Sequence, residues 1–555
     1  MQYSFLAFLL IVTAASLLIT VISKINAKRK RLAALKAAFG RPPAPEDTLQ
    51  FESIGRYRQY IQAPSPSPLC VDRITWNDLD MDRVFQRINA CQTSIGEEYL
   101  YNSLHQLPLN NKVLARREGL LNFFAKNPDT RLAVQALLAS RLGKENDNGL
   151  TALMSAPDTP LLKHRHVYTV LAALPLAMAA FMVISLPMGA IGVVASFIVN
   201  MMVYYRVKHH IAIEIPSIKY LTNLLRCCKG LGKIKALEAL PVMQEIRQHY
   251  RVLKPIKRNV PAMSSMAGDL LDVFFEYINI MFLYDIRNYN RFMLTIKRRN
   301  REFRALYRAV GELDMSISVL SFRLSLPFYT LPEFCQGREK GLAFTDIYHP
   351  LLPSPVANSG VMGNNSIITG SNASGKSTFI KALAINGILA QAINTCAARA
   401  FRARYSVIVT SMVMRDDLSA GDSYFIVEIK SLKRIMDLVK LHPCTCYIDE
   451  ILRGTNTVER IAASASVLGH LSGQDALCIA ASHDIELTRI LAGKYDNYHF
   501  REQVTDDGIV FDYKLKDGPS TTRNAIKLLD FMGFEGPVVQ EAEKLAELYA
   551  RQGAW

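Results

Sequence analysis

Gly370-Ser371-Asn372-Ala373-Ser374-Gly375-Lys376-Ser377-Thr378 decides how the C-terminal part of this chain folds. The stretch fits G-x-x-x-x-G-K-[ST], the pattern of a phosphate-binding loop. Its glycines let backbone N–H groups surround phosphate oxygens, its lysine reaches the β- and γ-phosphates, and its hydroxyl meets Mg2+. The flanks supply the context the motif demands. Ser366 to Thr369 reads as a short strand running in, and Phe379 to Ala390 as an apolar-periodic helix running out. Residues 370–378 are therefore assigned to nucleotide phosphates, with Lys376 on the β/γ-phosphates and Ser377 on the metal. The helix N-terminus adds partial positive charge. ATP and Mg2+ are the expected ligands, and nucleotide hydrolysis is the expected chemistry.

Downstream, Cys444 to Ile448 is an apolar strand that ends in Asp449-Glu450. Asp449 suits Mg2+, directly or one shell out, and Glu450 suits polarisation of an attacking water. The plainer alternative is a salt-bridged pair at a strand end. Ala476 to Ala481 reads as another buried strand, followed by Ser482-His483-Asp484 at the end where α/β proteins bind ligands. His483 is thus a candidate γ-phosphate sensor, against the plainer reading of a surface or core histidine. From Gly341 to the C-terminus short β-rich runs alternate with helices, the texture of an α/β nucleotide-binding domain over 341–555.

Upstream, residues 70–340 read as all-helical, with apolar positions three and four apart, as in Leu100, Leu104 and Leu107. Two stretches in the N-terminal half are long, uncharged and apolar. Ser4 to Val21 is followed by Lys24 and Lys28-Arg29-Lys30-Arg31, which predicts an anchor over 1–23 with its basic end inside. Val167 to Tyr205 is nearly twice the length of one crossing, carries a turn signal at Leu186-Pro187-Met188-Gly189, and is basic on both sides. It predicts a transmembrane helical hairpin over 167–205, three spans in all, and a multi-pass protein of the inner (cytoplasmic) membrane with residues 341–555 in the cytoplasm. A buried helical pair is the competing reading. Leu270 to Tyr284 is apolar but interrupted by Asp272 and Glu276, and is assigned to a soluble core. Residues 24–69 read as a basic, Pro-rich linker, extended from 41 onward.

The 555 residues carry a formal net charge of +16. That excess suits an anionic partner, nucleic acid or the cytoplasmic membrane face. The nine cysteines contain no C-x-x-C pair, which argues against a zinc site or disulfide framework and suits a reducing compartment.

Several of these segments together resemble the MutS family of DNA mismatch repair ATPases, in the ABC ATPase class. Residues 368–378 are similar to the family's T-G-x-N-x-x-G-K-S-T loop, including Asn372. Tyr348-His349-Pro350-Leu351 and Leu389-Ala390-Gln391 are similar to its His-Pro and glutamine segments. Asp417 to Glu428 resembles its D-x-x-x-G-x-S-T-F-x-x-E signature, Asp449 to Thr455 its D-E-x-G-R-G-T segment, and Gly518 to Thr521 with Ala525-Ile526 its closing segment. More weakly, Thr93-Ser94-Ile95-Gly96-Glu97, Leu107-Pro108-Leu109 and Arg116-Arg117 resemble the start of its central lever domain.

The resemblance implies a homodimer with composite ATP sites, in which Ser423 of one copy reaches the γ-phosphate held by the other, and it places His483 on the family's sensor histidine. It also implies that the hairpin stands where the family carries its DNA clamp. Phe274-Phe275-Glu276 spells the family's mismatch-wedge motif but lies in an apolar helical run and is read as core. The mismatch-reading domains are not seen before the lever region, Leu452 replaces a glycine and Tyr424 a threonine. Two functions follow. One is a membrane-bound, MutS-like ATPase driving lever movement, with DNA as a candidate load. The other is an envelope ATPase that works mechanically on an unidentified protein partner without nucleic acid. Lys297-Arg298-Arg299-Asn300-Arg301 and Arg304 could meet phosphates or form a solvated or lipid-facing face.

Overall fold

In the computed structural model of the chain, residues 2–44, 50–62, 69–109, 111–145, 149–155, 162, 165–210, 214–259, 270–335, 340–371, 374–412, 424–452, 455–505, 508–520, 526, 529 and 531–552 are described. Ser423, Asn372, Ala373, Arg453 and Gly454 fall outside them, as do the side chains of Phe274 and Phe275. The fold is mixed α/β and mostly helical. Two compact units make it up. One gathers Met1–Pro66, Ile88–Asn102 and Gly119–Phe322; the other gathers Ser67–Arg87, Ser103–Glu118 and Arg323–Trp555.

The first unit is helical. Its first helix, Gln2–Ala38, runs through the basic cluster at 28–31 without a break. Phe51–Gln62, expected to be extended, is also a helix. Buried Tyr57 on that helix stacks on Tyr307 with centroids 5.0 Å apart, and the Tyr307 hydroxyl donates to Glu98 Oε2. The helix is thus packed against residues far along the chain, Tyr307 lying 250 positions from Tyr57.

The segment 93–97 has a clear physical job. Asp314, on the helix Asn300–Leu324, accepts from the Gln92 and Thr93 backbone N–H groups at 3.0 and 2.9 Å and from the Thr93 hydroxyl at 2.6 Å. Thr93 caps the helix Ser94–His105, its hydroxyl accepting from Gly96 N at 3.0 Å, and Asp314 fixes that cap residue in place from far along the chain. Gly96 allows this, because a Cβ there would overlap the Asp314 carboxylate. Complete burial pushes the Asp314 carboxyl up to about 6 despite the three bonds.

The apolar stretch 167–205 forms two packed antiparallel helices, Arg165–Phe181 and Leu186–His210. Their turn lies at Met182–Ser185, ahead of the expected Leu186-Pro187-Met188-Gly189. Pro187 sits in the first turn of the second helix, where its missing N–H has no intrahelical partner to lose. Among the described residues, Leu186–Val207 is the helix long and apolar enough by length and composition to cross a membrane; His166–Phe181 is apolar but shorter. Val183, Ile184, Leu186, Ile191 and Met202 are all exposed. Leu270–Phe282, expected to belong to a soluble core, packs against both helices of the apolar pair. Asn200 explains part of that packing. Pro175 has no N–H for the Leu171 carbonyl one turn back. Asn200, fully buried, donates to that carbonyl at 3.0 Å and to the Met281 carbonyl at 2.7 Å, tying three helices with one side chain.

The second unit is built on a six-stranded sheet in the order Lys516–Asp517, Asp496–His499, Ser366–Thr369, Ala476–Ala481, Cys444–Asp449, Val407–Ser411. All its pairings are parallel except that of Lys516–Asp517 with Asp496–His499. The three strands Ser366–Thr369, Cys444–Asp449 and Ala476–Ala481 are buried at every residue, as expected for a parallel sheet covered on both faces. Val407–Ser411 is an edge strand, and its outer side is covered by the short helix Arg73–Asp78. Thr410 N donates to Thr75 Oγ1 at 3.1 Å, while the Thr410 hydroxyl and Met412 N both donate to Asp78 Oδ2, at 2.5 and 3.1 Å. Arg434, on the helix Tyr424–Leu438, bonds both Asp72 and the Thr410 carbonyl. Residues 72–78 thereby hold the elements on either side of 413–423.

Burial pushes the Asp78 carboxyl up, while the bonds from Thr410 and Met412 to its Oδ2 oppose the shift. Asp78→Ala strands two buried donors and is expected to cost about 2–4 kcal/mol, whereas Asp78→Asn keeps one oxygen for both and should cost about 1 kcal/mol or less. Thermal melting of the two variants checks the order; equal losses would show that the shared oxygen is not what matters.

Candidate functional site

The strand Ser366–Thr369 lies inside the sheet and delivers the phosphate loop to its C-terminal edge. Gly370 and Gly375 adopt φ values of 135° and 98°. Neither accepts a side chain easily: a Cβ at 370 would collide with the Phe500 carbonyl, and one at 375 would sit 3.0 Å from the Tyr513 ring. Lys376 opens the helix Lys376–Ile393 and is completely buried, its ammonium held by the Gly370 and Ser371 carbonyls. Ser374 Oγ donates to the Ser371 carbonyl at 2.6 Å, folding the loop on itself. Ser377 is partly exposed and Thr378 exposed at the mouth of the loop.

Register brings the other candidates to the same edge. Ala481 pairs with Ile368 on one side and with Asp449 on the other. Asp449 is buried, and its Oδ1 has no hydrogen-bond partner among the described residues. Glu450 follows with φ 58°, its N–H bonded to the Ala481 carbonyl at 3.0 Å. His483 Nε2 lies 2.8 Å from Glu450 Oε1, with the imidazole 40% exposed and the carboxylate nearly buried. The histidine's loop is fixed in turn by Asp484, which takes a two-pronged contact from Arg460 at 3.0 and 2.7 Å. The structure thus joins Lys376, Asp449, Glu450 and His483 at one edge.

Leu452 also adopts a left-handed φ of 58°, a conformation that costs a branched residue about 1–2 kcal/mol and glycine little. The D-E-x-G-R-G-T pattern has glycine at this position. Burial of the Leu452 side chain and a bond from its N–H to Glu428 oppose the strain. Gln391, by contrast, stands near the far end of the loop's helix. There it exchanges hydrogen bonds with the Ser406 backbone at 3.0 and 3.2 Å, which makes it structural.

Sequence reading missed the cavity beside the loop. It measures about 370 Å³ and is lined by His349, Val356, Asn358, Phe379, Phe500 and Tyr513, with Gly375 and Thr378 shared with the loop. That is nucleoside-sized space in a mostly apolar wall. Asn358 staples the wall by donating to the Tyr513 carbonyl at 3.0 Å and accepting from Leu515 N at 2.8 Å. Burial, with the Lys381 cation nearby, lowers His349 to about 4, so this wall carries a neutral imidazole at pH 7. A buried, partnerless Asp449 oxygen, a glycine cradle and a buried lysine at the loop's carbonyls form a donor set that fits a magnesium–nucleotide.

Residues 366–549 match the family model described as MutS domain V. The chain is 31% identical over 267 residues to MutS protein homolog 4 of Mus musculus, covering 44% of this chain and 27% of that protein. It is 31% identical over 184 residues to the DNA mismatch repair protein MutS of Natronomonas pharaonis, covering 32% and 21%. It is 30% identical over 255 residues to that of Pseudothermotoga lettingae, covering 44% and 31%. The chain spans less than a third of the length of each of these relatives. Residues 366–549, which contain the phosphate loop, Asp449, Glu450 and His483, thus form a domain of the family described as MutS domain V.

Proposed function

We propose that the chain binds ATP between the loop 370–378 and the adjoining cavity and hydrolyses it, in a homodimer whose copies share two nucleotides. The observation that carries this reading is the meeting of Lys376, Asp449, Glu450 and His483 at one sheet edge beside a nucleoside-sized cavity. Lys376 neutralises the β- and γ-phosphate oxygens, while the backbone N–H groups of the loop surround them. Ser377 and Asp449 hold Mg2+, which supplies further charge neutralisation at the phosphates. Glu450 polarises the attacking water, its carboxylate oriented by His483 at 2.8 Å, and His483 registers the γ-phosphate from its half-exposed position. Ser423 of the other copy completes the site, so nucleotide binding closes the dimer and moves the helical region as a lever.

In this reading residues 1–23 and the apolar pair hold the chain in the cytoplasmic membrane, with residues 341–555 in the cytoplasm. The exposed apolar side chains of the pair support that placement. The load is DNA in one version, which the names of the relatives and exposed Arg298, Arg299, Arg301 and Arg304 favour. In the other it is an envelope protein without nucleic acid, which the membrane-like surface of the pair favours. Light scattering on detergent-solubilised Glu450→Gln protein tests the dimer: ATP should convert monomer to dimer, and Ser423→Ala should prevent it while ATP still binds. A chain that stays monomeric with ATP rules out shared sites. Duplex DNA that neither binds at low salt nor changes the ATPase rate removes the DNA version.

A further inference from the structure

We propose that the helix Tyr284–Arg298 lies along the membrane surface at the foot of the apolar pair and holds anionic lipid headgroups with Arg287, Arg291 and Arg298. The proposal rests on the reading of the pair as membrane-embedded. The helix is joined to both ends of that pair. On the incoming side, Leu162 exchanges two hydrogen bonds with Asn290, at 2.8 and 2.7 Å. On the outgoing side, Ile286 and Leu283 share a buried cluster with Tyr204 and Val207, near the end of the second arm. One helix therefore spans the place where both arms would leave the hydrocarbon.

Its two faces differ sharply. Ile286, Tyr289, Phe292, Met293 and Ile296 are buried. Arg287, Arg291 and Arg298 are exposed, and at 3.6 residues per turn they fall within about 40° of one another. The helix's acid, Asp285, belongs to the buried face, where it accepts from Asn279 at 2.5 Å. Exposed Arg206 and His209 at the end of the second arm extend the cationic foot; the acids flanking the helix in sequence are exposed Glu276 on the preceding helix and half-buried Glu302 on the following one. Arg299 faces Glu302 at 3.4 Å and is not counted. Tyr284, 41% exposed, opens the helix with an amphipathic ring of the kind enriched at membrane interfaces. A cationic stripe set level with the polar end of an apolar hairpin matches headgroup phosphates and carboxylates better than a duplex, which the adjoining bilayer would obstruct.

The test uses the full chain reconstituted in phosphatidylcholine bilayers with and without phosphatidylserine, read by amide hydrogen exchange across 284–298. Phosphatidylserine is expected to slow exchange there about tenfold or more, at a few-fold per arginine. The effect should disappear in Arg287→Gln/Arg291→Gln/Arg298→Gln and in about 1 M salt. If the charge-neutral variant misfolds, the salt arm alone decides. Equal exchange in both bilayers, or protection by added duplex DNA instead of phosphatidylserine, overturns the proposal while leaving the membrane reading intact. A chain that washes off the bilayers at alkaline pH overturns the membrane reading itself, and this proposal with it.

Discussion

Glu450→Gln is expected to slow steady-state ATP hydrolysis by about 10²–10⁴-fold while leaving nucleotide affinity within about threefold. The amide matches the carboxylate in size and keeps an oxygen for the 2.8 Å contact from His483, so the site's shape survives. What is lost is the negative charge that draws a proton from water. Phosphate-release kinetics and titration with a fluorescent nucleotide separate the two effects. Hydrolysis within about tenfold of the unaltered protein would move the water-polarising role away from Glu450. His483→Ala should then fall between them, because it loosens Glu450 without removing it.

Lys376→Ala is expected to weaken ATP binding by about 100-fold or more, since charge-assisted hydrogen bonds to phosphate contribute about 1.5–3 kcal/mol each. The free chain should tolerate the change better. Lys376 is fully buried, and its ammonium rests on the Gly370 and Ser371 carbonyls. Truncation therefore removes a buried cation along with two hydrogen bonds, for a net cost of about 1–2 kcal/mol. Differential scanning fluorimetry distinguishes the two consequences. ATP at 100 times its Kd stabilises the unaltered protein by about 2.7 kcal/mol, and that upward shift should vanish in the variant. A retained shift would show that the lysine does not hold phosphate.

The parts of the site that were legible in sequence are those whose chemistry is written contiguously. Gly370 to Thr378 is one loop, Asp449-Glu450 ends one strand, and Ser482-His483 ends the next, so a parallel sheet brings them together. The cavity wall was not legible. His349, Asn358, Phe500 and Tyr513 come from separated segments with no common spacing, and they become neighbours through pairings such as that of Asn358 with Tyr513. The turn of the apolar pair was misplaced because proline marks both turns and first helical turns. Only the fold shows Pro187 inside the helix. Phe51–Gln62 was hidden by the prolines around it, and the ring its Tyr57 stacks on, Tyr307, lies far along the chain. Leu452 marks a different limit. Its departure from glycine was visible, but its left-handed backbone and the Glu428 bond that steadies it were not.

The cover that Arg73–Asp78 places on Val407–Ser411 bears on solubility. Val407-Ile408-Val409-Thr410-Ser411 is uncharged, free of proline and glycine, and rich in β-branched residues. Left bare, such an edge templates another strand and invites chains to stack. The guard against that is encoded 335 and 332 positions before Thr410, at Thr75 and Asp78. A fragment beginning at residue 341 would keep every nucleotide-binding motif and still be prone to self-association, because the residues that seal its sheet lie outside it.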